Sequence, residues 1–216
     1  MDFLLNFTKE VFKGKTIFRI LFNWNVKKYC RNLKGVCVDF AGGRNPSYKR
    51  HWDIKCDKFI KTAYRKEDDP DVVVDLNKPI PFYSNFADNA FLFNALNVLD
   101  NPKESLKEIC RILKPEGTLF LSTSLIANEM PEPHDYYRFT NEGLERVLQE
   151  AGFKQIKIIR IGERVSSATH LLYSCFVFSF IRFFAFGLAL LLDKIFYQRK
   201  NNRYPCPIGY FVVAKK

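Results

Sequence analysis

Five consecutive residues, His134, Asp135, Tyr136, Tyr137 and Arg138, place an imidazole, a carboxylate, two phenols and a guanidinium in one short loop. An unperturbed imidazole titrates near neutrality and can take a proton from a hydroxyl, and a carboxylate beside it can orient the ring. His134 and Asp135 are therefore the candidate catalytic pair, although adjacent residues need not touch. The plainer alternative makes His134 a loop-ordering residue bonded to backbone. Arg138 can bind a substrate phosphate or carboxylate through its planar fork, or pair with Glu132 or Asp135. Tyr136 and Tyr137 either wall a substrate pocket or pack on the domain.

A second set of residues has the makings of a nucleoside site. Asp39-Phe40-Ala41-Gly42-Gly43 joins an acid to small residues whose backbone amides can approach a ligand closely, while the acid holds an ammonium or orders the loop. Asp57 lies eighteen residues further on, where a carboxylate can accept bonds from ribose hydroxyls, and Asp53 competes for that role in another strand register. Asp75-Leu76 then falls within reach of a purine amine.

These residues need a frame, and the pattern supplies one. Val36–Phe40 reads as a first buried strand, Trp52–Cys56 as a second, Asp71–Val74 as a third, Ala90–Phe93 as a fourth and Thr118–Ser122 as a fifth. Lys154–Ile161 and Gly209–Ala214 make a sixth and a seventh. Between the fourth and fifth, Asn101 can cap a helix that Pro102 starts, and Leu106, Ile109, Cys110 and Leu113 recur at helical spacing. Pro115 and Gly117 break it. Thr140 caps a further helix that Gly152 ends. Strands alternating with helices predict a doubly wound α/β sheet, with ligands beyond the carboxyl ends of its strands.

Ordered in this way, three motifs resemble the type 11 group of class I S-adenosylmethionine-dependent methyltransferases. They are Asp39 to Gly43, Asp75-Leu76-Asn77-Lys78-Pro79-Ile80-Pro81-Phe82, and Arg111-Ile112-Leu113-Lys114-Pro115-Glu116-Gly117. The loop from Pro131 to Thr140 is also similar. The resemblance covers about residues 35–165 and the last strand. It implies a Rossmann-like seven-stranded sheet with the last strand antiparallel and S-adenosylmethionine across strands one to four. Asp39, Ala41, Gly42 and Gly43 would embrace the methionine part, Asp57 the ribose, and Asp75 with Leu76 the adenine, with Phe93 and Asn94 on the methyl side. Ala41 replaces the first glycine of the group's pattern, Glu116 a glycine of the turn, and Val98 a common histidine.

Two stretches lie outside that resemblance. Residues 1–34 form a basic amphipathic segment, and 166–203 form a hydrophobic insertion in a domain spanning 35–216. The net charge is +11, but its excess sits at the two ends, with eight Lys/Arg against two acids in 1–35 and seven against one in 182–216. That asymmetry favours an anionic membrane surface over nucleic acid, as does the absence of an Asn/Asp-Pro-Pro-aromatic motif after strand four. Ala168–Leu192 is long enough for one span of roughly 20 residues, yet pairing of strands six and seven requires both flanks on one side of the bilayer. An interfacial helix or hairpin is expected instead, with Arg182, Lys194, Arg199, Lys200 and Arg203 meeting lipid phosphates; a lid packed on the protein is the alternative. The N-terminal segment could equally be a helix capping the sheet of its own domain. Asp2 and Lys9-Glu10 argue against a signal peptide, and six cysteines without a Cys-x-x-Cys pair fit a reducing cytosol. The expected protein is a cytoplasmic, peripheral or monotopic methyltransferase acting on a lipid-linked, glycan or other amphipathic acceptor. An inactive membrane scaffold of the same fold and an RNA methyltransferase are the competing expectations.

Overall fold

The structure is a computed structural model that describes residues 2–44, 46–130, 134–196 and 204–216. Seven strands form one sheet: β1 (Val36–Phe40), β2 (Lys58–Ala63), β3 (Val72–Val73), β4 (Ala87–Phe93), β5 (Leu113–Ser124), β6 (Lys154–Ile161) and β7 (Gly209–Lys215). Their order is β3-β2-β1-β4-β5-β7-β6, and only β7 runs antiparallel to its neighbours. The expected sheet is present, strand for strand, with one displacement.

That displacement matters for the site. Trp52–Cys56 does not enter the sheet; its Asp53–Ile54 pairs with Arg31–Leu33 in a separate two-stranded ribbon. The second strand instead begins at Lys58, with Val36 opposite Lys58 and Asp39 opposite Lys61. Trp52–Cys56 alternates apolar and polar residues while Lys58–Ala63 does not, so period alone favours the wrong stretch.

Among the described residues there are six α-helices: α1 (Asp2–Phe12), α2 (Ile17–Tyr29), α3 (Pro102–Ile112), α4 (Asn141–Glu150), α5 (Arg164–Leu171) and α6 (Ser179–Phe196). The strand period of two splits the core between the sheet's faces. Val38, Phe40, Leu92, Leu119, Leu121 and Val212 pack in one cluster with residues of α3 and α4. Cys37, Phe91, Phe93, Phe120 and Phe211 pack in the other, with residues of α1, α2 and α6.

The start of α3 follows the sequence closely: Asn101 accepts the Glu104 backbone N–H, and Pro102 opens the helix. The Lys-Pro-Glu-Gly segment is not a free turn but the opening of β5, a bulge in the pairing with β4. Glu116 has φ 63° there, the conformation for which the usual glycine is suited. A side chain on Gly117 would stand 2.8 Å from the Lys114 carbonyl oxygen.

The N-terminal segment divides into two helices at Gly14, where φ is 72°. Thr16 caps the second of them. Ile17, Phe18, Ile20, Phe22 and Val26 are buried, so α2 is a core helix of the domain. This is the sheet-capping alternative rather than an interfacial helix. The insertion is a helical hairpin, α5 and α6, joined through a short turn at Tyr173–Cys175. Asp193 of α6 accepts the backbone N–H groups of Glu163, Val165 and Ser166 and so holds the start of α5. No helix among the described residues is long and apolar enough to cross a membrane. Arg199, Lys200 and Arg203 lie outside the described residues. Arg182 also makes contacts within the protein: its Nε donates to the Phe176 carbonyl at 2.6 Å and its guanidinium lies over Tyr173 at 4.7 Å.

Candidate active site

A cleft of about 650 Å³ lies beyond the carboxyl ends of β1 to β4. Ala41 and Gly43 border it from the loop after β1, and Ala63, Tyr64, Arg65 and Asp68 from the segment after β2. Val74, Asp75, Leu76, Asn77 and Lys78 follow β3, while Ala95, Val98, Leu99 and Asp100 follow β4. His134 completes the wall. Ala41 and Gly43 both hold positive φ, 62° and 61°, which turns the loop sharply after β1. Asp75 orders its own turn by accepting the Asn77 N–H at 3.0 Å, and pairs with Lys78 at 3.2 Å.

Asp39 stands behind this loop rather than in the cleft. Its side chain is 1% exposed and accepts the Tyr48 hydroxyl at 2.9 Å. Burial raises its pKa from 3.8 to about 7, against the Tyr48 hydrogen bond and the charges of Lys49 and Lys61, which lower it. A Cβ on Gly42 would come within 2.4 Å of that carboxylate, so Gly42 is fixed by the acid it covers. Asp39 and Gly42 shape the loop that Ala41 and Gly43 present.

Three expected cofactor contacts, Asp57, Phe93 and Asn94, fall outside the cleft. The Asp57 N–H donates to the Gly35 carbonyl at the entry of β1. At roughly 3.3 Å per residue this is ~13 Å from the Asp39 end of the sheet, so Asp57 is away from the cleft. No acid directly ends β2; Tyr64, Arg65 and Asp68 occupy that place. Phe93 is 6% exposed and packs between Phe22, Tyr48 and Phe211, because its strand parity points it to the α2 face. Asn94, with φ 54°, turns away from the main cleft and accepts the Ser122 hydroxyl.

The loop from His134 to Thr140 is held by its own polar groups. Arg138 donates two bonds to Asp135, whose carboxylate also accepts from Asn97 Nδ2 at 2.8 Å and from the Met130 N–H at 3.0 Å. The guanidinium pulls the Asp135 carboxyl far below the usual range. Asp135 therefore staples the loop and does not orient His134, whose ring stacks on Tyr136 at 5.1 Å between centroids. Arg138 is likewise spent on Asp135 rather than open to a substrate. Tyr137 donates its hydroxyl to the Asp100 carbonyl, and Tyr136 is 51% exposed. Pro131, Glu132 and Pro133 lie outside the described residues.

A second pocket of about 300 Å³ opens on the other side of the β4 exit, bordered by Asn94 where the main cleft is bordered by Ala95. Its walls come from the N-terminal turn of α2, the end of β5 and the α5 hairpin. Sequence reasoning missed it because its residues, Arg19 and His170 among them, are far apart in the chain and meet only through the two stretches outside the resemblance.

A 3-2-1-4-5-7-6 sheet with an antiparallel seventh strand and a cleft over the first four is the class I methyltransferase architecture. The sequence agrees where it can be compared: residues 53–121 match the family described as methyltransferase domain. Matched segment and fold together are similar to an S-adenosylmethionine-dependent methyltransferase domain of the type 11 kind. The fold is shared with a SAM-dependent methyltransferase from Archaeoglobus fulgidus at 16% identity and a TM-score of 0.59, covering 96% of this chain and 97% of that one. It is shared also with phosphoethanolamine N-methyltransferase 2 of Haemonchus contortus, solved with phosphomonomethylethanolamine and S-adenosylhomocysteine, at 14% identity and a TM-score of 0.55, covering 90% of this chain and 52% of that one. The [4+2]-cyclase SpnF has it too, at 16% identity and a TM-score of 0.55 over 92% of this chain and 81% of that one. No curated protein sequence matches the chain.

Proposed function

We propose that this protein transfers a methyl group from S-adenosylmethionine to an amphipathic or lipid-linked acceptor at a membrane face. The observation that carries the acceptor class is a line of exposed apolar side chains on α6, Phe180, Phe184, Leu188, Leu191 and Ile195, close to the second pocket's α5 wall. Spaced by three and four residues, they form one helical face that stays largely open to solvent among the described residues, with Phe178 stacked on Phe180 at its start. Leu171 and Leu172, each more than half exposed, continue the apolar surface from the pocket's rim.

The residues present fit the cofactor. A cleft of this size falls in the range for small-molecule sites, its floor is made of Ala41 and Gly43, and an acid and an apolar side chain, Asp75 and Leu76, follow β3. In this reading Ala41 and Gly43 admit the methionine part, Asp75 accepts from the adenine amine, and Leu76, Val98 and Leu99 cover the base. Asp68, with Tyr64 beside it, replaces Asp57 as the group for the ribose. When bound, the cofactor supplies a sulfonium-borne methyl group to a nucleophilic atom. The protein's share is to orient that atom in line and to keep water away, with His134 as the titratable group on the cleft wall available to take a proton from a hydroxyl.

The test incubates the protein with methyl-labelled S-adenosylmethionine and a total lipid extract. Label should enter the organic phase and fail to do so with Asp75→Ala; label confined to water-soluble products would overturn the acceptor class. A scaffold without catalysis has one observation in its favour, the lack of an acid directly at the exit of β2. Calorimetric titration with S-adenosylmethionine separates the two readings: the enzyme binds, with Asp75→Ala at least about tenfold weaker and Asp57→Ala unchanged, whereas the scaffold gives no heat.

A further inference from the structure

Among the described residues, the second pocket contains a cation without an anion. Arg19 is half-buried, and among the described residues its guanidinium makes no ion pair or hydrogen bond; it lies over the Phe22 ring at 5.4 Å from the centroid. Burial lowers its proton affinity, yet a guanidinium stays charged at any ordinary pH. Facing the same space is His170, whose Nδ1 is buried with no hydrogen-bond partner. Asn94, Ser124 and Asn128 add further polar groups, and among the described residues no lining residue is acidic. A cation held partly out of water, an orphaned imidazole nitrogen and no carboxylate form an environment short of one negative charge.

Position gives that charge a meaning. Asn94 and Ala95 are consecutive, and one borders this pocket while the other borders the cofactor cleft. Anything filling the pocket therefore reaches the end of β4 from the side opposite the cofactor. Tyr173, also on the pocket wall, donates its hydroxyl to the Gly14 carbonyl at 2.7 Å, which ties the hairpin to the hinge before α2 and holds the two walls together. We infer that this pocket binds a phosphate group on the methyl acceptor, with Arg19 as its main charge partner and His170, Asn94 and Asn128 as hydrogen-bonding groups. The inference rests on the methyltransferase reading only for the word acceptor; the anion site stands on its own geometry. A fork of guanidinium donors suits tetrahedral oxyanions, and the apolar rim at Leu171 suits a tail leading away from the headgroup.

The chain has three histidines, so imidazole resonances in a nitrogen-correlated NMR spectrum can be assigned by single substitution. Inorganic phosphate and octyl phosphate below its micelle concentration are the two probes. Both should shift the His170 signals and leave those of His51 and His134 in place, and Arg19→Gln should weaken the shift at least about tenfold, the loss expected for one charge-assisted contact. Tighter binding of octyl phosphate assigns a lipid-borne phosphate, and equal binding assigns a water-soluble one; either supports the site. A His170 signal that ignores both probes, or an Arg19→Gln protein that binds them as well as wild type, overturns it. If Arg19→Gln does not fold, His170→Gln measured by calorimetry against the same probes takes its place, with the same loss expected. S-adenosylmethionine titrations run in parallel keep the two ideas apart: cofactor binding with no phosphate effect removes this inference alone, and a phosphate effect without cofactor binding removes the methyltransferase.

Discussion

Asp39 shows how a residue can be found by motif and still act differently from its expected role. The acid was legible because it ends a buried strand and precedes small residues; that it faces Tyr48 instead of a ligand depends on packing between α2 and the sheet. Its carboxyl is raised from 3.8 to about 7 by burial, so the folded state holds the proton more tightly than the unfolded chain. The resulting stability is full below about pH 4 and is lost as pH rises through 7, with a ceiling of about 4 kcal/mol at 1.36 kcal/mol per unit. Urea unfolding at pH 5 and pH 8 should show wild type losing stability across that interval and Asp39→Asn losing less, since the amide oxygen still accepts from Tyr48. Equal losses in both proteins would place the titration elsewhere. Phe93 and Asp57 were misread for related reasons. Both faces of the sheet are covered, so alternation does not say which face a phenylalanine takes, and the alternating stretch at 52–56 outcompetes on pattern the non-alternating 58–63 that forms the second strand.

Among the elements, those with local punctuation were readable. α3 carries its own cap and opening proline, and α4 its Thr140 cap, accepting from the Gly143 N–H at 3.2 Å. In the hairpin of α5 and α6 the only local mark is the Glu163/Ser166 capping box before α5, which lies ahead of the apolar run, so that run reads as one piece. What shapes it is a long-range contact: Asp193, 2% exposed, accepting three N–H groups at the start of α5 from nearly thirty residues away. Hydrogen bonds to a charged group are worth about 1.5–3 kcal/mol each, though not additively, and a helix start left without them has buried donors unsatisfied. Asp193→Ala should lower stability by about 3 kcal/mol in urea unfolding. It should also loosen the pocket wall that includes His170 while leaving S-adenosylmethionine affinity within about twofold, because no residue of α5 or α6 borders the main cleft. A large fall in cofactor affinity would mean that the hairpin supports both sites.

At the scale of the whole molecule, charge and apolar surface were both legible in the sequence, but their division between core and exterior was not. Deleting residues 166–203 would remove Phe186, Ala189 and Asp193 from the interior as well as the exposed face, so loss of membrane binding in that variant would be uninformative. Phe180, Phe184 and Leu188 are 56%, 70% and 56% exposed, and changing all three to serine leaves the core intact. Burying a large apolar side chain contributes about 1.5–3 kcal/mol, so partial insertion of three contributes on the order of 3 kcal/mol, or about a hundredfold in partitioning. Exposed Lys9 lies on α1, Lys13 in the turn after it and Lys28 on α2, and α1 packs against α6 through Phe7 and Phe183. Each lysine near an anionic surface adds about 1 kcal/mol, screened within a Debye length of about 8 Å at physiological salt. Flotation with vesicles containing phosphatidylserine should carry the wild-type protein upward, more weakly at 0.5 M salt, and leave the triple-serine variant behind while its melting temperature stays the same. Wild type that stays at the bottom at low salt would show that the α6 face meets something other than lipid, and the acceptor would then have to reach the second pocket from water.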